Sequence, residues 1–547
     1  MDIHTLKKME TKAAQSSRSD FMKIGLVLLF MMATLWISFG AGAENSNNIF
    51  LAIAAVFGAY MALNIGANDV ANNVGPAVGS KALTLGGAIL IAAIFEASGA
   101  LIAGGDVVST IKKGIIDPAF FVNPQEFVWA MTAALLAGGL WLNIATSVGA
   151  PVSTTHSIVG GVMGGGIAAA GFSIVSWGTM GKIAASWVIS PVLGAIIAAG
   201  FLYTIKKTIL YKDDRITAMQ RMVPYYVAIM AWAFTTYLTL KGLKKIWPDI
   251  GHIVTNNIGL AVEFSKKPTF ATALIMGFVV ALIIFFITKP LVKKASLNID
   301  NTSSGVNSLF TIPLIFAAAL LSFAHGANDV ANAIGPLAAI ADVVQNGTIS
   351  AKAPIPLWVM LIGAIGISLG LALYGPKLIK TVGSEITELN QIRAYSVAMA
   401  AAITVIIASQ LGLPVSSTHI AIGGIFGVGF LREYLSTTTA QEKIQHEEDQ
   451  IAEDKKARKE LREELHNLKD LEHKNDEQKA RIDQLKALIS NKKLIIKAEK
   501  KHLKRAKKAK YVQRSAVKKI AAAWVITVPA AALLSATIFY VIKSFMS

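Results

Sequence analysis

One heptapeptide occurs twice in this chain, and each copy sits in an apolar run long enough to cross a bilayer. Gly66-Ala67-Asn68-Asp69-Val70-Ala71-Asn72 returns as Gly326-Ala327-Asn328-Asp329-Val330-Ala331-Asn332, an offset of 260. A second pair follows in the same order: Pro151-Val152-Ser153-Thr154-Thr155-His156 and Pro414-Val415-Ser416-Ser417-Thr418-His419, an offset of 263. A weaker pair, Ala185-Ser186-Trp187-Val188-Ile189 and Ala522-Ala523-Trp524-Val525-Ile526, is offset by 337. The jump of 74 places an insertion between Phe430 and Trp524. Whatever this chain folds into is built twice.

The rest of the composition says what is built. Of 547 residues, 54% are hydrophobic and 16% charged, with a mean hydropathy of +0.53. A spanning helix needs roughly 20 apolar residues, so about a dozen spans are available. A soluble domain, a disordered regulator and a fibrous protein are excluded. Apolar runs are read at Ile24–Gly42 and at 50–66, 82–105, 127–149, 178–205, 222–242, 269–288, 310–327, 356–376, 394–413 and 516–542. Two shorter glycine-rich runs, 151–172 and 414–432, do not read as ordinary spans. The first run is too long for a signal peptide and reads as a membrane helix with its N-terminus inside. The chain has no cysteine, which excludes disulfides and thiolate chemistry.

The net charge of +18 could point to nucleic acid, but its distribution does not. Residues 441–519 hold 24 basic and 15 acidic side chains, a net of +9 and half the total. Much of the rest lies in short loops beside apolar runs, as the positive-inside rule expects for a membrane protein. With the N-terminus, the basic loops Lys206–Arg221 and Lys289–Lys294, and the insert all inside, the halves run in opposite directions across the membrane. That is the inverted-repeat plan of many secondary transporters. In the insert, Leu461, Leu468, Ile482, Ile489, Ile496 and Leu503 share one seven-residue series, so it reads as a coiled-coil helical hairpin turning near His473–Asp476.

The motifs carry the chemistry. On a helix Asn68, Asp69 and Asn72 share a face, as do Asn328, Asp329 and Asn332. A carboxylate with two amides offers hard oxygens suited to sodium, and the carboxylate could instead carry a proton. Gly75-Pro76 and Gly335-Pro336 predict a break just beyond each copy. In the second motif Pro151 and Pro414 are expected at the first position of a short helix. Ser153, Thr154 and Thr155, and Ser416, Ser417 and Thr418, then set hydroxyls at a helix N-terminus, where free N–H groups favour anions. The glycines that follow let another backbone come close. His156 and His419 are expected to hydrogen-bond and fix the turn. Glu96 is a lone acid read as either a coupling group or a partnered structural one, and His325 has no counterpart because Ile65 takes its place. Neither motif contains Arg or Lys, so a bound anion would need accompanying cations. An intramembrane Ser/His hydrolase is the rival from another class, disfavoured because both halves carry the whole set. A receptor or scaffold acting through the insert is a further rival.

These paired motifs resemble those of the inorganic phosphate transporter (PiT) family, over about 50–432 and the last helix. The resemblance implies phosphate uptake coupled to sodium or protons, inverted repeats, two re-entrant hairpins and a homodimer. By motif match, Ser153, Thr154, Thr155, Ser416, Ser417 and Thr418 would bind phosphate. Asn68, Asp69, Asn72, Asn328, Asp329 and Asn332 would bind the coupling cation, sodium being the candidate metal, or help hold the anion. A sulfate permease of the same fold is the alternative.

The expectation is therefore an all-α polytopic protein of the cell membrane, not an enzyme. It has two inverted repeats with re-entrant helical hairpins and an inserted cytoplasmic coiled-coil hairpin. Its segments are 1–49 (basic N-terminus and extra helix), 50–205 (repeat 1), 206–309 (linking helices), 310–436 (repeat 2), 437–515 (insert) and 516–547 (final helix). No cofactor and no nucleic acid are expected; the partners are phosphate, a coupling cation, membrane lipid and a second copy.

Overall fold

The computed structural model describes residues 3–41, 48–150, 152–244, 246–258, 267–347, 355–384, 389–470, 476–507 and 514–546. It is all helical. Among the described residues, eleven helices are long and apolar enough to cross a membrane, and they coincide with the eleven apolar runs. In chain order the helices are α1 (Ile3–Ala41), α2 (Asn48–Asn68), α3 (Ala71–Gly79), α4 (Leu85–Ala103), α5 (Gly105–Lys113), α6 (Pro124–Ser147), α7 (Thr154–Ala170), α8 (Trp177–Ile205) and α9 (Arg215–Lys241). The order continues with α10 (Trp247–Ile258), α11 (Phe270–Ser296), α12 (Ser303–Leu309), α13 (Thr311–Asn346), α14 (Leu357–Ser384), α15 (Gln391–Gln410), α16 (Ser417–Lys469), α17 (Asp476–Lys507) and α18 (Arg514–Met546).

The chain forms two compact units, residues 1–428 with 514–547, and 429–513. In the first, α13 is the central element, buried almost throughout from Ala317 to Val344. The apolar surfaces of α1 and α11 are left exposed, as a lipid-facing helix requires. Within the second unit, Glu464 meets Arg481 at 2.9 Å and Asp454 meets Lys492 at 2.5 Å, so α16 and α17 run antiparallel there. Ile482, Leu485 and Ile496 are buried along α17. The expected turn at His473–Asp476 falls largely outside the described residues.

The two halves interlock through glycine. A methyl group on Gly66 would lie 1.9 Å from the Ile367 carbonyl oxygen of α14, and one on Gly326 would lie 2.2 Å from the Glu96 carbonyl oxygen of α4. The first residue of each heptapeptide thus seats its helix against a helix of the other half. Gly164 of α7 and Gly427 of α16 approach Ala532 of α18 and Ala195 of α8 in the same exchanged way. In a bilayer such close backbone packing, rather than apolar burial, holds helices together.

Two expected breaks are corrected. The first heptapeptide breaks at Asp69-Val70, between α2 and α3, and not at Gly75-Pro76, since Pro76 lies inside α3. The second does not break: α13 runs through Gly335-Pro336 to Asn346. The difference has a local cause. Asn72 Nδ2 donates to the Asp69 carbonyl at 2.9 Å, capturing an acceptor that an unbroken helix would use. Its counterpart Asn332 instead donates to Thr154 and Thr155, both at 3.2 Å. Proline is tolerated inside membrane helices where neighbours satisfy the freed groups.

Candidate functional site

Two hairpins bring the second motif to the first. Just beyond α6 and α15 lie Gly149 and Gly412, with φ of +74° and +66°, a left-handed conformation that suits glycine. The N–H of Ala150 reaches back to the Ala145 carbonyl (2.9 Å), and that of Leu413 to the Ala408 carbonyl (3.0 Å), so both tips close in the same way. The chain then reverses into α7 and α16. Pro414 does not take the first helical position. Pro151 lies outside the described residues, and Pro414 precedes Ser417, the first residue of α16, by three. The serines cap instead: Ser153 Oγ accepts from the His156 N–H (3.1 Å), and Ser416 Oγ from that of His419 (3.3 Å).

The heptapeptides grip these tips. Asn68 Nδ2 donates to Thr146 Oγ1 (2.8 Å) and to the Ala150 carbonyl (3.3 Å), while its Oδ1 accepts from the Val152 N–H (3.4 Å). Asn328 does the same with Ser409 Oγ (2.9 Å), the Leu413 carbonyl (3.3 Å) and the Val415 N–H (3.4 Å). Thr146 and Ser409 were not singled out from sequence. The signal was there, since they obey the offset of 263 that relates the second motifs.

The aspartates and remaining hydroxyls converge from both halves. Thr154 Oγ1 lies 2.6 Å from Asp69 Oδ2 and 3.0 Å from Asp329 Oδ2. Thr418 donates to Asp69 Oδ1 and accepts from Asn72 Nδ2 at 2.8 Å. Thr155 donates across to the Val415 carbonyl at 2.9 Å. All twelve residues of the two motif sets are buried. One hydroxyl hydrogen cannot serve two carboxylates at once, so Thr154 satisfies Asp69 or Asp329 but not both. Asp329 Oδ1, Asn72 Oδ1, Asn332 Oδ1 and Ser417 Oγ have no hydrogen-bond partner. Buried orphan oxygens are costly unless a proton or cation satisfies them. Oxygen donors of this kind fit a hard cation such as sodium.

A third group joins this cluster and belongs to no repeat. His325 Nδ1 lies 2.7 Å from Glu96 Oε2, its Nε2 lies 3.2 Å from Asp329 Oδ2, and Asn73 Nδ2 donates to Glu96 Oε1 at 2.7 Å. Glu96 is thus a partnered acid wired to a motif aspartate. Ligand atoms of Asp69, His325 and Asp329 all lie within 4.8 Å of one another.

His156 and His419 do not act as expected. None of their four ring nitrogens has a hydrogen-bond partner. The rings meet each other with centroids 4.4 Å apart, His156 packs on Trp187 at 3.8 Å, and His419 on Trp524 at 3.6 Å. The weak third repeat is therefore the aromatic half of this four-ring stack between the hairpins.

A model of the phosphate transporter family matches residues 65–535. A Helicobacter pylori protein carrying the provisional name phosphate permease is 48% identical over 549 residues, covering 98% of each chain. A similarly named Haemophilus influenzae protein is 39% identical over 382 residues, 70% of this chain and 87% of its own. Among solved structures, one titled a sodium-dependent phosphate transporter superposes with a TM-score of 0.67 at 31% identity, covering 90% of this chain and 99% of that one.

Proposed function

Since this chain belongs to the phosphate transporter family, we propose that it imports inorganic phosphate by symport with a cation. The family and the solved relative are transporters, which removes the hydrolase reading. One observation carries the coupling: two buried aspartates share a single Thr154 hydroxyl, amid orphan oxygens and without Arg or Lys in either motif. Such a site repels a bare oxyanion and accepts one together with cations. Each negative charge imported against the membrane potential costs roughly 2.3 kcal/mol per 100 mV, which co-transported cations cancel.

The roles divide by geometry. Asp69 and Asp329, with Oδ1 of Asn72 and Asn332, hold the cation. Asn68 and Asn328 brace the hairpin tips. The N-termini of α7 and α16 hold phosphate, Thr154, Thr155, Ser417 and Thr418 turning their hydroxyls to it, with Ser153 and Ser416 shaping the termini as caps. The halves are inverted in the membrane, the N-terminus and the insert are cytoplasmic, and two copies pair. Sodium is the first candidate cation, the solved relative being named for its dependence on it. The Glu96–His325–Asp329 contact favours a proton as the second. Radiolabelled phosphate uptake into proteoliposomes, with sodium and pH gradients imposed separately, tests this. Uptake driven by neither gradient would overturn symport, and competition by sulfate alone would reassign the substrate.

A further inference from the structure

We propose that a cavity beside the first hairpin tip, apolar over much of its wall but carrying a few polar groups, is a second oxyanion station, where Lys23 holds phosphate one step away from the motif site. The inference rests on the phosphate reading above. The cavity measures about 720 Å³ and lies between α1, α2, α6 and α14. Lys23, Tyr60, Asn64, Asn143, Thr146 and Tyr374 line it.

Its chemistry is the reverse of the motif site. There, two carboxylates and no Lys or Arg favour cations. Here, among the described residues, the one charged side chain in the lining is Lys23, with the Asp20 carboxylate beside it at 3.7 Å. Phenolic hydroxyls from Tyr60 and Tyr374 add donors, the groups a phosphate oxygen needs. Asn143 Nδ2 gives one hydrogen to Asn64 Oδ1 at 3.4 Å and Asn64 Nδ2 gives one to the Tyr60 carbonyl at 2.9 Å, so each amide has a second hydrogen to offer. Thr146 Oγ1 accepts from Asn68 and keeps its own hydrogen to give. That same bond connects the two places, since Asn68 adjoins Asp69.

Lys23 has a bland alternative, a lysine reaching from a helix end toward water. Its side chain is only 33% exposed and covers the cavity. Its acidic neighbour, Asp20, is 3.7 Å away and 64% exposed, so that pair is solvated and readily exchanged for an incoming anion. α1 lies before residue 65, where the family match begins, so this charge is an addition to the matched core.

The test loads each face of the membrane in turn, using radiolabelled phosphate with intact cells and with inverted vesicles. Lys23→Gln should raise the half-saturating phosphate concentration about ten- to a hundredfold at the face onto which the cavity opens. The opposite face and the half-saturating cation concentration should not change. Lys23→Arg should recover most of the loss, and Asn143→Ala should produce a smaller rise at the same face. Unchanged phosphate dependence from both faces in Lys23→Gln would overturn the station. So would an equal shift at both faces, or a shift in cation dependence, since either marks a structural role. Wild-type protein that moves no phosphate would overturn the transport reading itself, and the station with it.

Discussion

The two heptapeptides are identical in seven positions, yet one interrupts its helix and the other does not. In the first copy the Asn72 amide takes the Asp69 carbonyl and the helix breaks. In the second, Asn332 spends its amide on the opposite hairpin and α13 stays unbroken over its 36 residues. Their aspartates differ accordingly. Asp69 receives hydroxyls from both hairpins, Thr154 and Thr418. Asp329 shares only Thr154, leaves Oδ1 unpartnered, and faces His325 instead. Duplication supplies matched parts, and what surrounds them gives the two aspartates different partners.

The largest expected effect comes from breaking that distinction directly. Hydrogen bonds to a charged group are worth about 1.5–3 kcal/mol each. Asp69→Asn, which takes the charge from two hydroxyl bonds, should lower cation-driven phosphate accumulation by roughly thirty- to two-hundredfold. Asp329→Asn, which takes it from one, should lower it by about five- to fifteenfold. Uptake per inserted molecule decides it: equal losses, or a larger one at Asp329, would make the aspartates equivalent or reverse their roles. Glu96→Gln should act through Asp329, changing the pH dependence of uptake while leaving Asp69-dependent cation binding in place. An unaltered pH profile would reduce the Glu96–His325 contact to packing.

The halves should be alike where the interlock is alike. Gly66→Ala and Gly326→Ala each drive a methyl group into a backbone carbonyl across the halves. Overpacking of this kind costs about 1–3 kcal/mol, sometimes more. Both variants should show similar losses of detergent-stable protein, read as a fall in melting temperature. A clear inequality would show that only one crossing is tight.

What the sequence discloses follows the same line. Residues whose chemistry is duplicated are legible from it: the aspartates, the capped hydroxyl triplets and the glycines beyond them. Thr146 and Ser409 are equally legible, but they lie five residues ahead of Pro151 and Pro414, outside the motifs themselves. Glu96, His325 and Asn73 could not be read as a set. Each occurs once, on three different helices, and only the crossing of α4 with α13 brings them together. The break at Asp69 was misplaced because proline is the visible breaker in a sequence, whereas an amide that caps a carbonyl three residues earlier leaves no mark. The ring stacking of the histidines is not legible locally, because their tryptophan partners lie far along the chain, one of them beyond the insert.

The hairpin tips differ more subtly than the aspartates. Beside the first, Asn143 and Thr146 line an open cavity. Beside the second, Thr110 of α5 donates to the Gly412 carbonyl at 2.7 Å, and nearby Lys112 and Asp342 form a buried ion pair at 2.8 Å. α5 thus clasps one tip while the other faces a vestibule. Removing the Thr110 hydroxyl should cost about 0.5–1.5 kcal/mol of clasp. The absence of native cysteine makes a single Leu413→Cys a clean reporter. Its labelling rate should rise by about two- to twelvefold when Thr110→Val is added. An unchanged rate would mean that the ion pair alone holds the tip.

The smallest effect is expected where the two halves differ most in length. The insert occurs in one half only, and every residue of the site lies in the other compact unit, outside 429–513. Ion pairs and buried Ile482, Leu485 and Ile496 give α16 and α17 means to hold one another within their own unit. The first half closes its hairpin with α7 ending at Ala170 and needs no such extension. Replacing Thr437–Arg514 with a short Gly/Ser bridge should therefore leave phosphate uptake within about twofold of wild type per correctly inserted molecule, a change of less than ~0.5 kcal/mol. A bridged protein that inserts normally but transports nothing would show that the longer half drives the cycle, and that the symmetry of the site does not extend to its motion.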